Sequence, residues 1–240
     1  MSELEDALAA IRETRPRRIV VFTGAGVSAD SGIPTFRGEE GLWRKYRAEE
    51  LATPEAFARD PKLVWEFYES RRHRIGQASP NAAHDAVARL ADAVVVTQNV
   101  DGLHTRAGSR NVIELHGNLF RVRCTREETT AIREEAFETL PPQCACGAPL
   151  RPDVVWFGEM LPEEALARAT AAILGADLLL IIGTSGVVYP AAGLVSLHDG
   201  LSIEINPEAS SLPSSSRCMI RSRAAEATPA VVEALLEVRR

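Results

Sequence analysis

IVVFTGAGVSADSGIPTFRG, residues 19–38, couples a short apolar run to a glycine turn, and that order decides the fold. Residues 19–22 are apolar and mostly β-branched, as a strand buried on both faces requires. Gly24, Ala25 and Gly26 come next, so a tight turn leaves the strand end and can aim backbone N–H groups at an anion. Ala29 stands where the dinucleotide-binding fingerprint accepts Gly or Ala. A glycine turn that serves packing alone is the competing reading. The residues beyond the turn are unusual: Gly32, Pro34 and Gly38 interrupt the crossover helix expected there. The segment therefore reads as a loop over a bound ligand, with Phe36 as an apolar wall and Arg37 as a fixed cation.

The rest of the chain supplies a core for that strand. Its 240 residues are 45% apolar, enough for one large domain carrying a small insert. A net charge of −6 and a pI near 5.5 leave no basic footprint, so no nucleic-acid partner is expected. The acidic N-terminus lacks a continuous apolar stretch and reads as neither signal peptide nor membrane span, which predicts a cytoplasmic protein without a membrane partner. Four cysteines, two of them at Cys144 and Cys146, suit a metal or reduced thiols better than a disulfide framework.

Leu4, Leu8 and Ile11 recur at helical spacing, predicting an amphipathic helix that ends before Pro16. Residues 39–77 are helical in pattern with a break at Thr53-Pro54, where Thr53 can cap and Pro54 can begin a helix. Tyr68 and Arg71 stand three apart there and project from one face. A guanidinium forks onto a carboxylate and a phenol can add a third bond, although such a pair can also be a core aromatic beside a surface cation. Residues 93–97 read as a second buried strand, with Gln98, Asn99 and Asp101 at its end. These groups can hold an amide or ribose hydroxyls, or cap a helix as an Asx turn. His116 comes after a strand-like run at 112–115, and Gly117 beside it leaves room for a ligand, which favours His116 over His104 as a base. His84 and His104 are read as structural. Residues 178–182 form a further strand running into Gly183, Thr184 and Ser185, a second turn suited to phosphate or ribose. A last strand at 202–205 ends at Asn206, and Thr228-Pro229 is expected to open a terminal helix.

Together GAGVSADSGIPTFRG, TQNVDGLH and ELHG occur in an order that resembles the sirtuin family of NAD-dependent protein-lysine deacylases, from about Arg18 to Pro229. The resemblance implies an α/β fold: an open parallel Rossmann-like sheet with helices on both faces (residues 1–38, 81–117 and 150–240), plus a small domain from two inserts (39–80 and 118–149). It implies that NAD is consumed as co-substrate and that His116, Asn99 and Asp101 carry the chemistry, releasing nicotinamide, lysine and an O-acyl-ADP-ribose. NAD would lie against Gly24, Ala25, Gly26, Ser28, Ala29, Phe36, Arg37, Gln98, Gly183, Thr184, Ser185, Asn206 and Ala224, the last standing where the family has a glycine. An acyl-lysine peptide would line up along Val154, Phe157, Gly158 and Glu159. Residues 51–72 resemble the branch that prefers acidic acyl groups, so Tyr68 and Arg71 would read a succinyl or malonyl carboxylate, with Ala48 and Ala52 widening the pocket. The family's zinc module normally has two Cys-x-x-Cys pairs; here Cys124, Cys144 and Cys146 are present and Glu127 replaces the fourth thiolate. Either Glu127 completes a zinc site or the module has lost its metal and packs on Phe137, Leu140 and Pro141. A monomer acting on acyl-lysine proteins is expected, with ADP-ribosyl transfer, NAD hydrolysis or a non-catalytic NAD or acyl-lysine sensor as the alternatives.

Overall fold

A computed structural model describes residues 2–34, 51–208, 210–212 and 217–239. Its centre is strand β1 (Ile19–Thr23), buried along its whole length. Ile19 and Val21 pack on one face of the sheet, while Val20 and Phe22 pack on the other. Both faces therefore need cover, and the chain provides it. On the first face lie α1 (Glu3–Thr14), α4 (Ala82–Ala88) and α8 (Ala224–Glu237). On the second lie α6 (Glu163–Leu174) and the short α7 (Ala191–Leu194).

Five more strands join β1 in the main sheet: β2 (Val94–Thr97), β3 (Val112–Glu114), β7 (Leu178–Ile182), β8 (Leu201–Ile205) and β9 (Arg217–Ile220). Their order is β3-β2-β1-β7-β8-β9, with every neighbouring pair parallel. Successive strands step outward from β1 in one direction and then restart from β1 in the other, so a crevice opens beyond the carboxyl ends of β1 and β7. This is the Rossmann-like arrangement expected from the glycine turn.

A second, antiparallel sheet is built from β4 (Gly117–Cys124), β5 (Thr130–Ile132) and β6 (Leu150–Val154) in the order β5-β4-β6. Against it lie α2 (Pro54–Arg59) and α3 (Pro61–Gln77). Thr53 caps α2 by accepting from the Ala56 N–H at 3.1 Å, as its sequence predicts. A second break, at Asp60-Pro61, divides the helical stretch again, with Asp60 capping α3 through the Leu63 N–H at 3.0 Å. Among the described residues, no helix is long and apolar enough to cross a membrane.

One expectation is corrected. The terminal helix begins at Ala224, and Pro229 lies inside it. Its first turn is held by a group distant in sequence, since Asp30 accepts from the Ala225 N–H at 3.2 Å and pairs with Arg223. That remote cap lets the helix start before the Thr-Pro signal. Residues Ala25–Ser31, ahead of the expected loop, form a 3-10 helix closed by Gly32 at φ 78°. Phe36, Arg37 and Ala48 lie outside the described residues.

Candidate active site

Two glycine turns interlock at the crevice. The Gly26 N–H donates to the Gly183 carbonyl at 2.8 Å, and the Gly24 N–H donates to that of Ile182 at 3.1 Å. A Cβ on Gly26 would stand 2.7 Å from the Gly183 Cα, and one on Gly183 would overlap the Val27 amide nitrogen. The packing and ligand readings of these glycines are thus compatible: backbone contact between the turns makes one wall of the cleft.

That cleft encloses about 540 Å³. Gly24, Ala25, Gly26, Ala29, Gly183, Thr184, Ser185, Asn206 and Ala224 line one end. Gln98, Asn99 and His116 line its middle, and Ala52, Tyr68, Arg71, Val154, Phe157, Gly158 and Glu159 line the other end. Side-chain amides tie the strand ends together, with Gln98 Nε2 donating to Thr184 Oγ1 at 3.1 Å and Asn206 Nδ2 donating to the Thr184 carbonyl at 2.8 Å.

Ser28 and Asp101 are not in the cleft wall. They lie directly behind Asn99, where the Ser28 hydroxyl donates to Asp101 Oδ2 at 2.7 Å and accepts from Asn99 Nδ2 at 3.1 Å. Asp101 Oδ1 also accepts from the Leu103 N–H at 2.9 Å, an Asx turn that leads into the short α5 (Leu103–Arg106). His84 stands 3.5 Å from the same hydroxyl and receives the Asn81 N–H on Nδ1 at 3.3 Å. His104 packs against His84 with the rings tilted at 60° and their centroids 4.8 Å apart, and it meets Thr23 Oγ1 at 3.1 Å. Burial, with His84 beside it, drives the pKa of His104 down to about 3. This layer fixes the direction of Asn99 and uses His84 and His104 as neutral structural groups.

His116 differs from them in facing the cleft. Its Nδ1 lies 2.9 Å from the Gln98 carbonyl, which can only accept, so Nδ1 carries the proton and Nε2 keeps its lone pair. Burial lowers the pKa of His116, and the bond to Gln98 opposes that shift. A neutral imidazole with one ring nitrogen anchored is the state a general base needs. Gly117 serves another end than expected: with φ at 79°, a Cβ there would overlap the Asp153 carbonyl oxygen, so its missing side chain admits β6 rather than a ligand.

At the opposite end, Trp156 Nε1 donates to the Tyr68 hydroxyl at 2.9 Å, fixing the phenol and leaving its own proton to be given. Arg151 stacks 3.5 Å from the centroid of the Trp156 ring and bonds Glu159 at 2.6 Å. Burial would raise the pKa of Glu159, but Arg151 and the Trp156 N–H hold it below the usual carboxylate range. Burial lowers the pKa of Arg71, while Tyr68 and Asp101 oppose the shift. Val188, Tyr189, Pro190 and Arg223 also line the cleft. Sequence reading missed them. The cis Tyr189-Pro190 bond lies shortly after the second glycine turn, whereas Arg223 is brought in by Asp30, with no local signal.

Cys124, Glu127, Cys144 and Cys146 converge, their ligand atoms all within 4.8 Å of one another. Cys124 and Cys146 sulfurs are 3.5 Å apart, close to the edge of about 3.8 Å that four ligands at about 2.3 Å from a tetrahedral zinc define. The Glu127 N–H donates to the Cys124 sulfur at 3.4 Å, favouring its thiolate. Three thiolates and a carboxylate fit zinc, so the carboxylate stands where the fourth thiolate was missed.

Residues 24–190 match the model of the Sir2 family. The chain is 54% identical to the NAD-dependent protein deacylase of Pyrococcus furiosus over 235 residues, 92% of this chain and 93% of that protein. It is 53% identical to the NAD-dependent protein deacylase of Aquifex aeolicus over 204 residues, 79% of this chain and 83% of that one. Among solved structures, a Sir2 homologue in complex with NAD superposes with a TM-score of 0.88 at 47% identity, covering 98% of this chain and 95% of the other. A complex of Sir2, a p53 peptide and NAD+ superposes with a TM-score of 0.83 at 33% identity, covering 97% of each.

Proposed function

Since the chain belongs to the Sir2 family and is an NAD-dependent protein deacylase with NAD as its co-substrate, we propose that it prefers lysines carrying succinyl or malonyl over those carrying acetyl. The observation that carries this reading is the placement of Tyr68 and Arg71. One turn apart on α3, both line the deacylase cleft, with the phenol locked by Trp156. An acyl chain ending in a carboxylate would meet a guanidinium fork and a phenol donor. An acetyl group offers that pair nothing to bind.

In this reading the peptide lies along Val154 to Glu159 as an added strand, and the acyl oxygen displaces nicotinamide at the ribose carbon. Neutral His116 then takes a proton from a ribose hydroxyl on Nε2, because the Gln98 carbonyl holds the other ring proton. Asn99 faces the nicotinamide and ribose, while Ser28 and Asp101 keep its amide oriented from behind. The interlocked turns at Gly24, Gly26 and Gly183 take the phosphates and adenosine ribose, with Asn206 and Ala224 beside them.

The test is to incubate the protein with NAD and matched acetyl- and succinyl-lysine peptides, following peptide mass and nicotinamide together. Faster succinyl removal supports the proposal, and faster acetyl removal keeps the deacylase and discards the acidic preference. Nicotinamide release with both peptides intact would point to NAD hydrolysis. Hydrogen bonds to charged groups contribute about 1.5–3 kcal/mol, so Arg71→Met should lower kcat/KM for the succinyl peptide roughly 10- to 150-fold, far more than for the acetyl peptide. Similar losses for both would remove the basis for the preference.

A further inference from the structure

Helix α3 carries two sets of side chains with different destinations. Tyr68 and Arg71 reach the cleft, whereas Trp65 and Arg72 reach the antiparallel sheet that holds the metal cluster. Arg72 is 3% exposed, which is unusual for a guanidinium, and no role in binding explains it. Its Nη1 donates to the Leu119 carbonyl at 2.6 Å, and its Nη2 donates to those of Arg133 at 2.6 Å and Glu135 at 2.9 Å. Glu69, one turn back, pairs with it at 2.6 Å. The guanidinium also lies 5.4 Å from the centroid of Phe120 and 5.2 Å from that of Phe137. On the preceding turns, Trp65 Nε1 donates to the Leu150 carbonyl at 2.7 Å and its ring meets Phe137 edge-on at 5.1 Å.

Three backbone carbonyls converging on one planar group set both the rotation of α3 about its axis and its position along it. A lysine ammonium has its three donors at a single point, one fewer than the four partners here, and lacks the planar fork that spans them. Arg72 is covalently next to Arg71, so any roll of the helix that loosens the first swings the second away from the cleft. The carbonyls belong to β4 and to the segment after β5, and β4 also carries Cys124.

We propose that Arg72 is a positioning residue for acyl selectivity: it clamps α3 to the antiparallel sheet and so aims Tyr68 and Arg71 at the distal end of the acyl group. This rests on the reading that Arg71 recognises an acyl carboxylate. Arg72→Lys keeps the charge and loses the fork. It should raise KM for a succinyl-lysine peptide about tenfold while kcat changes little, since sub-ångström misplacement of a binding group costs on this scale. The ratio of succinyl to acetyl kcat/KM, taken on one preparation, should fall by the same factor, and that ratio is insensitive to the fraction of active protein. Trp65→Phe, which removes one bond from the same face, should move the ratio in the same direction by less. Because Arg72 acts through Tyr68 and Arg71, adding Arg72→Lys to Arg71→Met should lower the ratio by much less than Arg72→Lys does alone.

A proportional loss on both peptides, or additive effects in the double variant, would overturn the proposal and make Arg72 a general fold anchor. If Arg71→Met itself lowers both activities equally, the carboxylate reading falls, and the role given to Arg72 falls with it. If Arg71→Met is selective and Arg72→Lys is not, only the clamp is refuted.

Discussion

The histidine pair behind the site makes the fold acid-sensitive by a calculable amount. In the native state His104 has a pKa of about 3, because burial and the neighbouring His84 both disfavour its cation. Unfolded, it titrates near its ordinary value of 6.5. As pH falls below that value the unfolded chain gains a proton that the folded chain refuses, so stability is lost with acidification from about pH 6.5 down to about pH 3. At pH 5 the folded form of His104 is still neutral, and the loss relative to pH 7 depends only on the unfolded pKa. With about 1.36 kcal/mol per unit, it comes to about 2 kcal/mol. The depressed carboxylate Asp177, at about 2, gives up its contribution only as pH falls below its usual value near 3.8, outside the interval from pH 7 to pH 5. Urea unfolding of the wild type and of His104→Gln at pH 7 and pH 5 isolates the effect. Whatever the substitution costs at pH 7, the variant should lose about 2 kcal/mol less than the wild type between the two pH values. Equal losses would refute the assignment of a neutral, proton-refusing His104.

His116 lends itself to a kinetic counterpart: its neutral form is the active one and burial depresses its pKa, so the acid limb of kcat/KM, which reports the free enzyme, should have its midpoint below 6.5. A midpoint above that value would contradict the geometry. His116→Ala should lower kcat by roughly 10²–10⁴ while NAD still protects the protein against thermal unfolding. Gly183→Ala should disrupt the joint between the two turns, since its Cβ would overlap the Val27 amide nitrogen, and weakened NAD binding by calorimetry is the expected sign. About one zinc per chain should be found by elemental analysis, and Cys146→Ser should lower that content and the melting temperature together.

How much of this was legible before the structure depends on how local each signal is. The strand at 178–182 agrees with its sequence reading to the residue, because a continuous apolar run ending at Gly183 marks it. The cleft-lining residues named at strand ends were legible for the same reason, since position at the carboxyl end of a buried parallel strand is a local property. What was missed is non-local. The early start of α8 depends on Asp30, the burial of Arg72 depends on carbonyls at 119, 133 and 135, and the setting of Asp101 behind Asn99 depends on Ser28. Gly117 was noticed for the right residue and the wrong partner, because only the register of β4 with β6 shows that Asp153 occupies its open side.

The order of the sheet has a consequence for biogenesis. Its central strand is made first, yet Val20 pairs with Val94 on one side and Ile19 with Leu178 on the other, so one edge stays open while most of the chain is synthesised. Such distant pairing slows folding, because long loops must close before any contact rewards them. Until β7 arrives, IVVF is an uncharged, β-prone edge of the kind that recruits other nascent chains. The same apolar continuity that makes β1 the axis of the native sheet makes it the segment most in need of a chaperone's cover on the ribosome.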